Sequence, residues 1–409
     1  MPQEECKEKI LSEEYRDFMM RDTGALGEKF PLENGCRIPL KYGFELLYID
    51  QSEDRKKQLA DYPYTMVPKC YTTLDMAAIQ QAGIAAVQNL TGLELSGEGV
   101  LVGIIDTGIN YLDPIFRNLD GSTRIRRIWD QEEQSGTAPR EIGYGSEYTR
   151  EQINLAIQSE NPKETVPSFD TDGHGTFVAS VACGGANPEN LFIGAAPEAE
   201  MGIVKEAKEY LREYYFVDCD ARCYQENDLV AAVFYLQKVQ EELKRPLVIC
   251  LAVGTSLGGH GGYSILSEYL QNVAASEGIG IVTGSGNEAD KRHHYLGILE
   301  QENNQPVEIN VGNNTRGFVM ELWTELPNLL ALSIASPTGQ TVGPVSLRRG
   351  IGEYVFVFEQ TRVILNYRVL VETTGAQLVF FQFDRPGSGI WKIIPETLEL
   401  GNGIFHIWL

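Results

Sequence analysis

The chain has 409 residues, of which 43% are hydrophobic, and this length and balance suit a packed globular protein of about one to three domains. Its 57 acidic and 34 basic side chains give a formal net charge of −23 at pH 7, which repels phosphate backbones and anionic lipid surfaces. Nucleic acid and membrane are therefore excluded from the expected partners.

The N-terminus and the cysteines indicate a cellular compartment. No basic start followed by an apolar run, the pattern of a secretory signal, opens the chain, and no stretch of about 20 apolar residues occurs elsewhere. The seven cysteines are an odd number without CxxC spacing, which favours free thiols and a cytoplasmic location. Cys219 and Cys223, beside Asp218 and Asp220, would bind a metal only if further ligands converged. Neither a metal site nor a cofactor is predicted.

Residues 1–68 are charged and mixed, and they predict a small accessory region. The apolar run at 44–49 indicates one strand within it. Pro63 and Pro68 interrupt the segment, and a helix is predicted over 75–89 before a glycine-containing loop at 96–99. We therefore expect a second domain to begin near residue 69.

Residues 69–290 have the alternating pattern of an α/β domain. Residues 100–105 form a continuous apolar run, as in a strand of a parallel sheet that is buried on both faces, and similar runs follow at 201–204, 247–253 and 280–283. Amphipathic helices are predicted between them, one ending before Pro246 and one over 264–277. This order predicts a parallel sheet with helices on both faces.

Residues 291–409 change character, because short alternating runs replace the helical pattern. Such strands, separated by glycine, asparagine and proline, are typical of an antiparallel sandwich or jelly roll. The predicted strands are 317–322, 329–334, 354–358, 363–371 and 377–383.

Two polar positions are candidates for catalysis. Asp106 ends the first buried strand, at the edge of an α/β sheet where catalytic groups gather, although taken alone it fits a turn or a helix cap equally well. His174 lies between Gly173 and Gly175, which leave its ring uncovered and allow other segments to approach closely. A carboxylate at the position of Asp106 is suited to orienting an imidazole, and His174 is the histidine with a reason to be catalytic.

Two further segments follow buried strands. Backbone groups of Ser256, Leu257 and Gly258 are suited to pairing with an extended peptide as an added edge strand. Asn287, in the sequence GSGNEA, is suited to donating a hydrogen bond to an oxyanion, and the alternative is a left-handed turn residue.

The segments IIDTGIN at 104–110, DGHGTFVAS at 172–180, GAAPEA at 194–199, SLGG at 256–259 and GSGNEA at 284–289 resemble, in this order, the motifs of the subtilisin-like serine peptidases. The resemblance implies a subtilisin-like fold and a polypeptide substrate. It also implies that Asp106 is the triad aspartate, His174 the general base and Asn287 the oxyanion-hole amide, with Ser256, Leu257 and Gly258 binding substrate.

The insertion between Asp113 and Asp172 and the β-rich segment after residue 291 resemble the clostridial Csp-type subtilases, which carry a jelly-roll insertion. That group implies association with a spore as a second location. It also implies a role for the first 65 to 70 residues like that of a prodomain.

The nucleophilic serine of the resembled family has no match in this sequence. Ser256 lies in the only Gly-Thr-Ser, but it precedes Asn287 and no helix start follows it, while Ser336 and Ser388 lie in predicted turns. The sheet is therefore expected to be incomplete, with the serine supplied by a segment after Leu409 that pairs with this chain. The alternative is an inactive pseudoprotease that binds peptide or a regulatory partner.

Overall fold

A computed structural model gives the fold, and the structure describes fifteen stretches of the chain. They are residues 15–21, 35–39, 44–50, 83–88, 95–139, 145–186, 192–196, 215–216, 223–224, 226–262, 265–284, 291–299, 305–345, 351–369 and 375–409. The chain divides into two compact units, residues 1–77 and 78–409. The predicted domain boundaries near residues 68 and 290 stay predictions.

The first unit contains a small antiparallel sheet of β1 (Tyr15–Arg21), β2 (Cys36–Pro39) and β3 (Phe44–Asp50). The central strand is β3, which pairs with both neighbours. The predicted strand at 44–49 is thus confirmed. Cys36 is disulfide-bonded, so the expectation of free thiols was wrong for this residue. The free cysteines in the described part of the chain are Cys183, Cys223 and Cys250.

Within the described residues, three parallel strands form the sheet at the centre of the α/β part of the second unit. It consists of β4 (Leu101–Ile105), β7 (Leu247–Leu251) and β8 (Ile279–Thr283), in that order across the sheet. The apolar runs at 100–105, 247–253 and 280–283 are confirmed as strands, and the run at 201–204 lies outside the described residues.

Helices cover both faces of this sheet, as predicted. The described helices are α1 (Ile84–Gln88), α2 (Arg150–Gln158), α3 (Pro162–Thr165), α4 (His174–Cys183), α5 (Glu226–Leu243) and α6 (Ile265–Ala274), with a 3-10 helix at Pro114–Phe116. Leu101 and Ile105 share a core with α5 and α6, whereas Val102 and Ile104 share another core with α4. The alternation follows from the period of two in a strand. No helix in the described part of the chain combines the length and apolar character that a membrane span requires.

The segment between β4 and α4 carries a small antiparallel hairpin of β5 (Arg127–Asp130) and β6 (Ser146–Thr149). Helix α2 follows it directly, and Thr149 caps this helix by a reciprocal capping box with Gln152. The insertion that the sequence placed between Asp113 and Asp172 therefore has its own ordered elements.

The chain after residue 291 forms a two-sheet antiparallel sandwich, as predicted. Its strands are β9 (His294–Ile298), β10 (Val307–Val311), β11 (Gly317–Glu325), β12 (Leu329–Ala335), β13 (Thr341–Val345), β14 (Ile351–Phe356), β15 (Thr361–Arg368), β16 (Ala376–Asp384), β17 (Gly389–Glu399) and β18 (Ile404–Trp408). One sheet has the order β10, β17, β12, β13, and the other has the order β14, β15, β16, β11, β18, β9.

The inner faces of the two sheets form one hydrophobic core, in which Trp391, Phe381 and Phe383 are fully buried. Burial alternates along β10 and β15, so every second side chain enters the core. The sequence predicted five of these ten strands, and it missed β9, β10, β13, β17 and β18.

Candidate active site

Asp106 and His174 meet at the edge of the parallel sheet. Asp106 directly follows β4 and is 1% exposed, while His174 is the first residue of α4. The Nδ1 atom of His174 lies 2.7 Å from Oδ1 of Asp106. The sequence, which separates these residues by 68 positions, had only suggested that they come together.

The contact fixes the proton arrangement on the imidazole. A carboxylate accepts hydrogen bonds, so Nδ1 of His174 is the donor in this contact, and in the neutral form of the ring the lone pair is then on Nε2. The His174 side chain is 49% exposed, whereas its carboxylate partner is buried. A ring held on one side by a buried carboxylate and open on the other has the geometry of a general base.

Asp170, which the sequence analysis missed, holds the two segments together. Its Oδ1 accepts from the hydroxyl of Thr107 at 3.0 Å and from the backbone N–H of Gly173 at 2.8 Å. Its Oδ2 accepts from the N–H of Thr176 at 2.9 Å and from the hydroxyl of the same residue at 2.6 Å. One 6% exposed carboxylate thus joins the loop after β4 to the first turn of α4.

The hydrogen bonds on Asp170 also set its protonation. Burial by itself raises the pKa of this carboxyl, but the hydrogen bonds from Thr176, Gly173 and Thr107 together lower the pKa below its usual value. Asp170 is therefore ionised at neutral pH. Its signal in the sequence was a short run, Asp170-Thr171-Asp172-Gly173, that is typical of a side chain bonding its own turn.

Two glycines permit the close approach of the segments. A Cβ on Gly175 would lie 2.2 Å from the carbonyl oxygen of Gly108, and one on Gly108 would lie 2.7 Å from Cα of Asp170. Gly108 also has a φ of +146°, a region that side chains rarely adopt. Of the two glycine flanks noted in the sequence, Gly175 therefore has a direct steric reason.

The predicted peptide-pairing segment leaves the same edge of the sheet. Strands β4 and β7 are parallel neighbours, with Ile105 opposite Leu251, so Ser256, Leu257 and Gly258 follow the strand next to Asp106. Asn287, the predicted oxyanion amide, follows β8 but lies outside the described residues. In the described part of the chain no hydroxyl group is hydrogen-bonded to Nε2 of His174.

The sandwich contacts the peptide-pairing segment. The N–H of Gly258 donates to Oε2 of Glu321 on β11 at 2.6 Å. Sequence reasoning missed Glu321, because a charged residue at an alternate position of a strand is indistinguishable from an ordinary solvent-facing one.

The chain is similar to known proteins of a single peptidase family. Residues 97–335 match the model of the subtilase family, Peptidase_S8. The Subtilisin-like protease SBT2.2 of Arabidopsis thaliana is 30% identical over 131 residues, which are 28% of this chain and 15% of the relative. The Subtilisin-like protease SBT3.6 of the same plant is 24% identical over 355 residues, which are 79% of this chain and 42% of the relative. The chain thus spans less than half the length of these curated relatives.

Among solved structures, the CspB protease of Clostridium perfringens is similar over much of the chain. The two share 29% sequence identity with a TM-score of 0.70, and the match covers 81% of this chain and 67% of that protein. The similarity includes the β-rich part, because a match of this coverage extends beyond the α/β elements.

Proposed function

The chain belongs to the subtilase family of peptidases, and we propose that it supplies the acid–base pair and the peptide-pairing segment of a serine endopeptidase. The observation that supports this most directly is the 2.7 Å contact between the exposed His174 ring and the buried Asp106 carboxylate. A histidine open to the cleft and anchored by a carboxylate is the arrangement that activates a hydroxyl nucleophile.

In this proposal His174 and Asp106 divide the proton chemistry. Nε2 of His174 takes the proton of the attacking serine hydroxyl and returns it to the leaving amine of the peptide. Asp106 keeps Nδ1 protonated and stabilises the imidazolium while the acyl-enzyme forms. Asp170 touches neither the reacting atoms nor the ring, so it is a positioning residue, and it acts through Thr107 and Gly173.

The substrate is proposed to be a polypeptide that lies extended along Ser256. Pairing with a sheet edge supplies main-chain hydrogen bonds that do not depend on substrate sequence. The amide of Asn287 is proposed to donate to the tetrahedral oxyanion, an interaction whose loss typically costs about 2.7 to 4 kcal/mol of barrier. The nucleophile is proposed to be a serine in a part of the native protein that is distinct from all the site residues assigned above.

The test is fluorophosphonate labelling of the natively expressed gene product, combined with its intact mass. The reagent modifies only an activated serine, so a labelled protein is the expected result and its labelled peptide identifies the nucleophile. A native protein that stays unlabelled, while a known subtilase is labelled in parallel, would contradict the enzymatic proposal. The peptide-binding pseudoprotease would then take its place.

A further inference from the structure

The outer face of the six-stranded sheet, on the side away from the sandwich core, carries an unusual set of side chains. Glu321 on β11 lies opposite Trp408 on β18, and Trp323 lies opposite His406. Trp408 in turn lies opposite His294 on β9. Their sequence neighbours Leu322 and Ile407 point into the core, so these five residues share the outer face.

This face contacts the loop that follows Leu257. A Cβ on Gly259 would lie 3.3 Å from the ring of Trp323, so the loop backbone runs close over the indole. The ring of His260 stacks on Trp408 at a centroid distance of 3.7 Å and an interplanar angle of 17°. The sandwich therefore holds the loop by aromatic packing as well as by the Glu321 hydrogen bond.

Two hydrogen bonds from different segments converge on the carboxylate of Glu321. Its carboxylate is 7% exposed, and the same Oε2 that accepts from Gly258 at 2.6 Å also accepts from the indole N–H of Trp323 at 2.9 Å. Hydrogen bonds to an ionised, water-excluded acceptor are shorter and stronger than neutral ones. Trp323 thus fixes the oxygen in the position where it meets the backbone of Gly258.

The carbonyl group of Gly258 is occupied as well. Nδ1 of His260 lies 2.8 Å from this oxygen, and because a carbonyl only accepts, Nδ1 is the donor. Gly258 itself has a φ of +109°, which is outside the extended region. Both pairing groups of one residue are therefore used within the protein, at a point where the chain turns.

Strand addition requires free pairing groups. In an edge strand alternate residues direct both N–H and C=O toward the incoming chain, so an extended peptide that pairs at Ser256 would next require the N–H and C=O of Gly258. The N–H and the C=O of Gly258 are already hydrogen-bonded within the protein. A peptide that pairs with Ser256 therefore cannot form the next pair of main-chain hydrogen bonds, two residues farther along.

We propose that Glu321 is a positioning residue that ends the peptide-pairing edge at Gly258, so that an extended polypeptide hydrogen-bonds to Ser256 and not beyond. The inference rests on the proposed function, because it assigns a limit to the same cleft. It makes the sandwich a determinant of how many substrate residues are recognised.

The experiment uses amide hydrogen exchange on the full chain at single-residue resolution across 254–262. It is done in a His174→Ala background, so that an unstructured polypeptide, β-casein, is bound without being cleaved. Glu321→Ala removes the acceptor, and Glu321→Gln keeps an acceptor oxygen in the same place. Glu308→Ala is the matched control, since Glu308 pairs with Lys392 on the other sheet.

Without casein, the Gly258 amide is expected to exchange roughly tenfold faster in Glu321→Ala than in the parent, as for the loss of one charge-assisted hydrogen bond. Glu321→Gln is expected to stay within about threefold of the parent, and Glu308→Ala to match it. With casein, the parent gains protection at Ser256, whereas Glu321→Ala gains it at Ser256 and Gly258. The casein Kd of Glu321→Ala is expected to fall several-fold.

Three outcomes would overturn the inference. They are an unchanged Gly258 exchange rate in Glu321→Ala, a Gly258 amide that casein leaves unprotected in that variant, and weaker casein binding by it. Failure of the proposed function looks different. Casein would then protect no amide of 254–262 in any variant, and the proposed limit set by Glu321 would be refuted together with the proposed function. The exchange rates without casein would still show whether Glu321 accepts a hydrogen bond from Gly258.

Discussion

The histidines at the sheet edge and on the sandwich lie in opposite surroundings. His174 is held by a buried carboxylate, whereas His294 stacks on Trp408 at 3.7 Å and lies with its Nε2 3.0 Å from Nδ1 of His406. Burial, together with the neighbouring His406 and His260 rings, lowers the pKa of His294. His174 is thus fixed by one hydrogen bond to a carboxylate, whereas the surroundings of His294 disfavour a charged ring.

Among the substitutions that test this contrast, His174→Ala is expected to have the largest effect. In the native gene product, which the proposed function takes to carry the serine, His174→Ala removes the general base, and we expect peptide hydrolysis to fall roughly 10⁶-fold, the scale found for the equivalent loss in a subtilisin. The rate of fluorophosphonate labelling measures the same loss of serine activation. His406→Ala is the control and is expected to label within about twofold of the parent, because His406 packs against His294 and Trp408. Equal losses in both variants would contradict the assignment of His174.

Asp106→Asn tests the carboxylate half of the pair. The amide cannot hold Nδ1 of His174 in its protonated form, so the ring adopts the wrong tautomer, and we expect hydrolysis to fall roughly 10⁴-fold. This loss is smaller than that of His174→Ala, because the base itself remains. The measurement is kcat against pH with a peptide substrate. A variant that keeps full activity would show that the 2.7 Å contact has no catalytic role.

Asp170→Asn tests a residue that positions the loop after β4 and the first turn of α4 but does not contact the reacting atoms. An asparagine would turn an NH₂ group toward the N–H of Thr176, the N–H of Gly173 or the hydroxyl of Thr107, so at least one donor loses its acceptor. We expect a loss of about 2 to 4 kcal/mol in the free energy of unfolding, measured by urea denaturation at pH 7. Asp120→Asn, in an exposed turn, is the control and is expected to change little.

The same variant predicts a pH dependence with a definite sign. The pKa of Asp170 is lowered in the folded protein, so its stabilisation is fully present above its ordinary value of about 3.9. It is lost as the pH falls through the lowered pKa. The difference in unfolding free energy between parent and Asp170→Asn should therefore shrink only below about pH 4. A difference that shrinks near neutral pH would point to another group.

The sequence predicted best where the chemistry is local. The buried strand before Asp106 and the glycine-flanked His174 each lie within one motif, and the cores on both sheet faces follow from apolar spacing. The contacts of Asp170 with Thr107 and of Glu321 with Gly258 each join residues 63 positions apart, which periodicity does not encode. Five sandwich strands were also missed, among them the edge strand β9, in which three of the five side chains are exposed.

Gly175→Ala tests whether the close approach at the sheet edge is needed. The added methyl group would meet the backbone of Gly108, which has no flexible end that can move aside. We expect a loss of about 1 to 3 kcal/mol in the free energy of unfolding. Gly284→Ala is the matched control, because a Cβ there meets nothing within 4 Å. Thermal unfolding of the two variants compares them, and equal stabilities would contradict the steric argument.

The smallest expected effect concerns His294, whose ring is only partly removed from solvent. Its pKa is lowered in the folded protein, so the unfolded chain binds the proton more readily. The contribution of neutral His294 to stability is therefore complete above its ordinary pKa of about 6.5 and is lost as the pH falls below that value. His294→Gln should flatten part of the decline in Tm between about pH 6.5 and 5. A steeper decline in His294→Gln would mean that protonation of this ring stabilises the fold, and the contrast with His174 would then disappear.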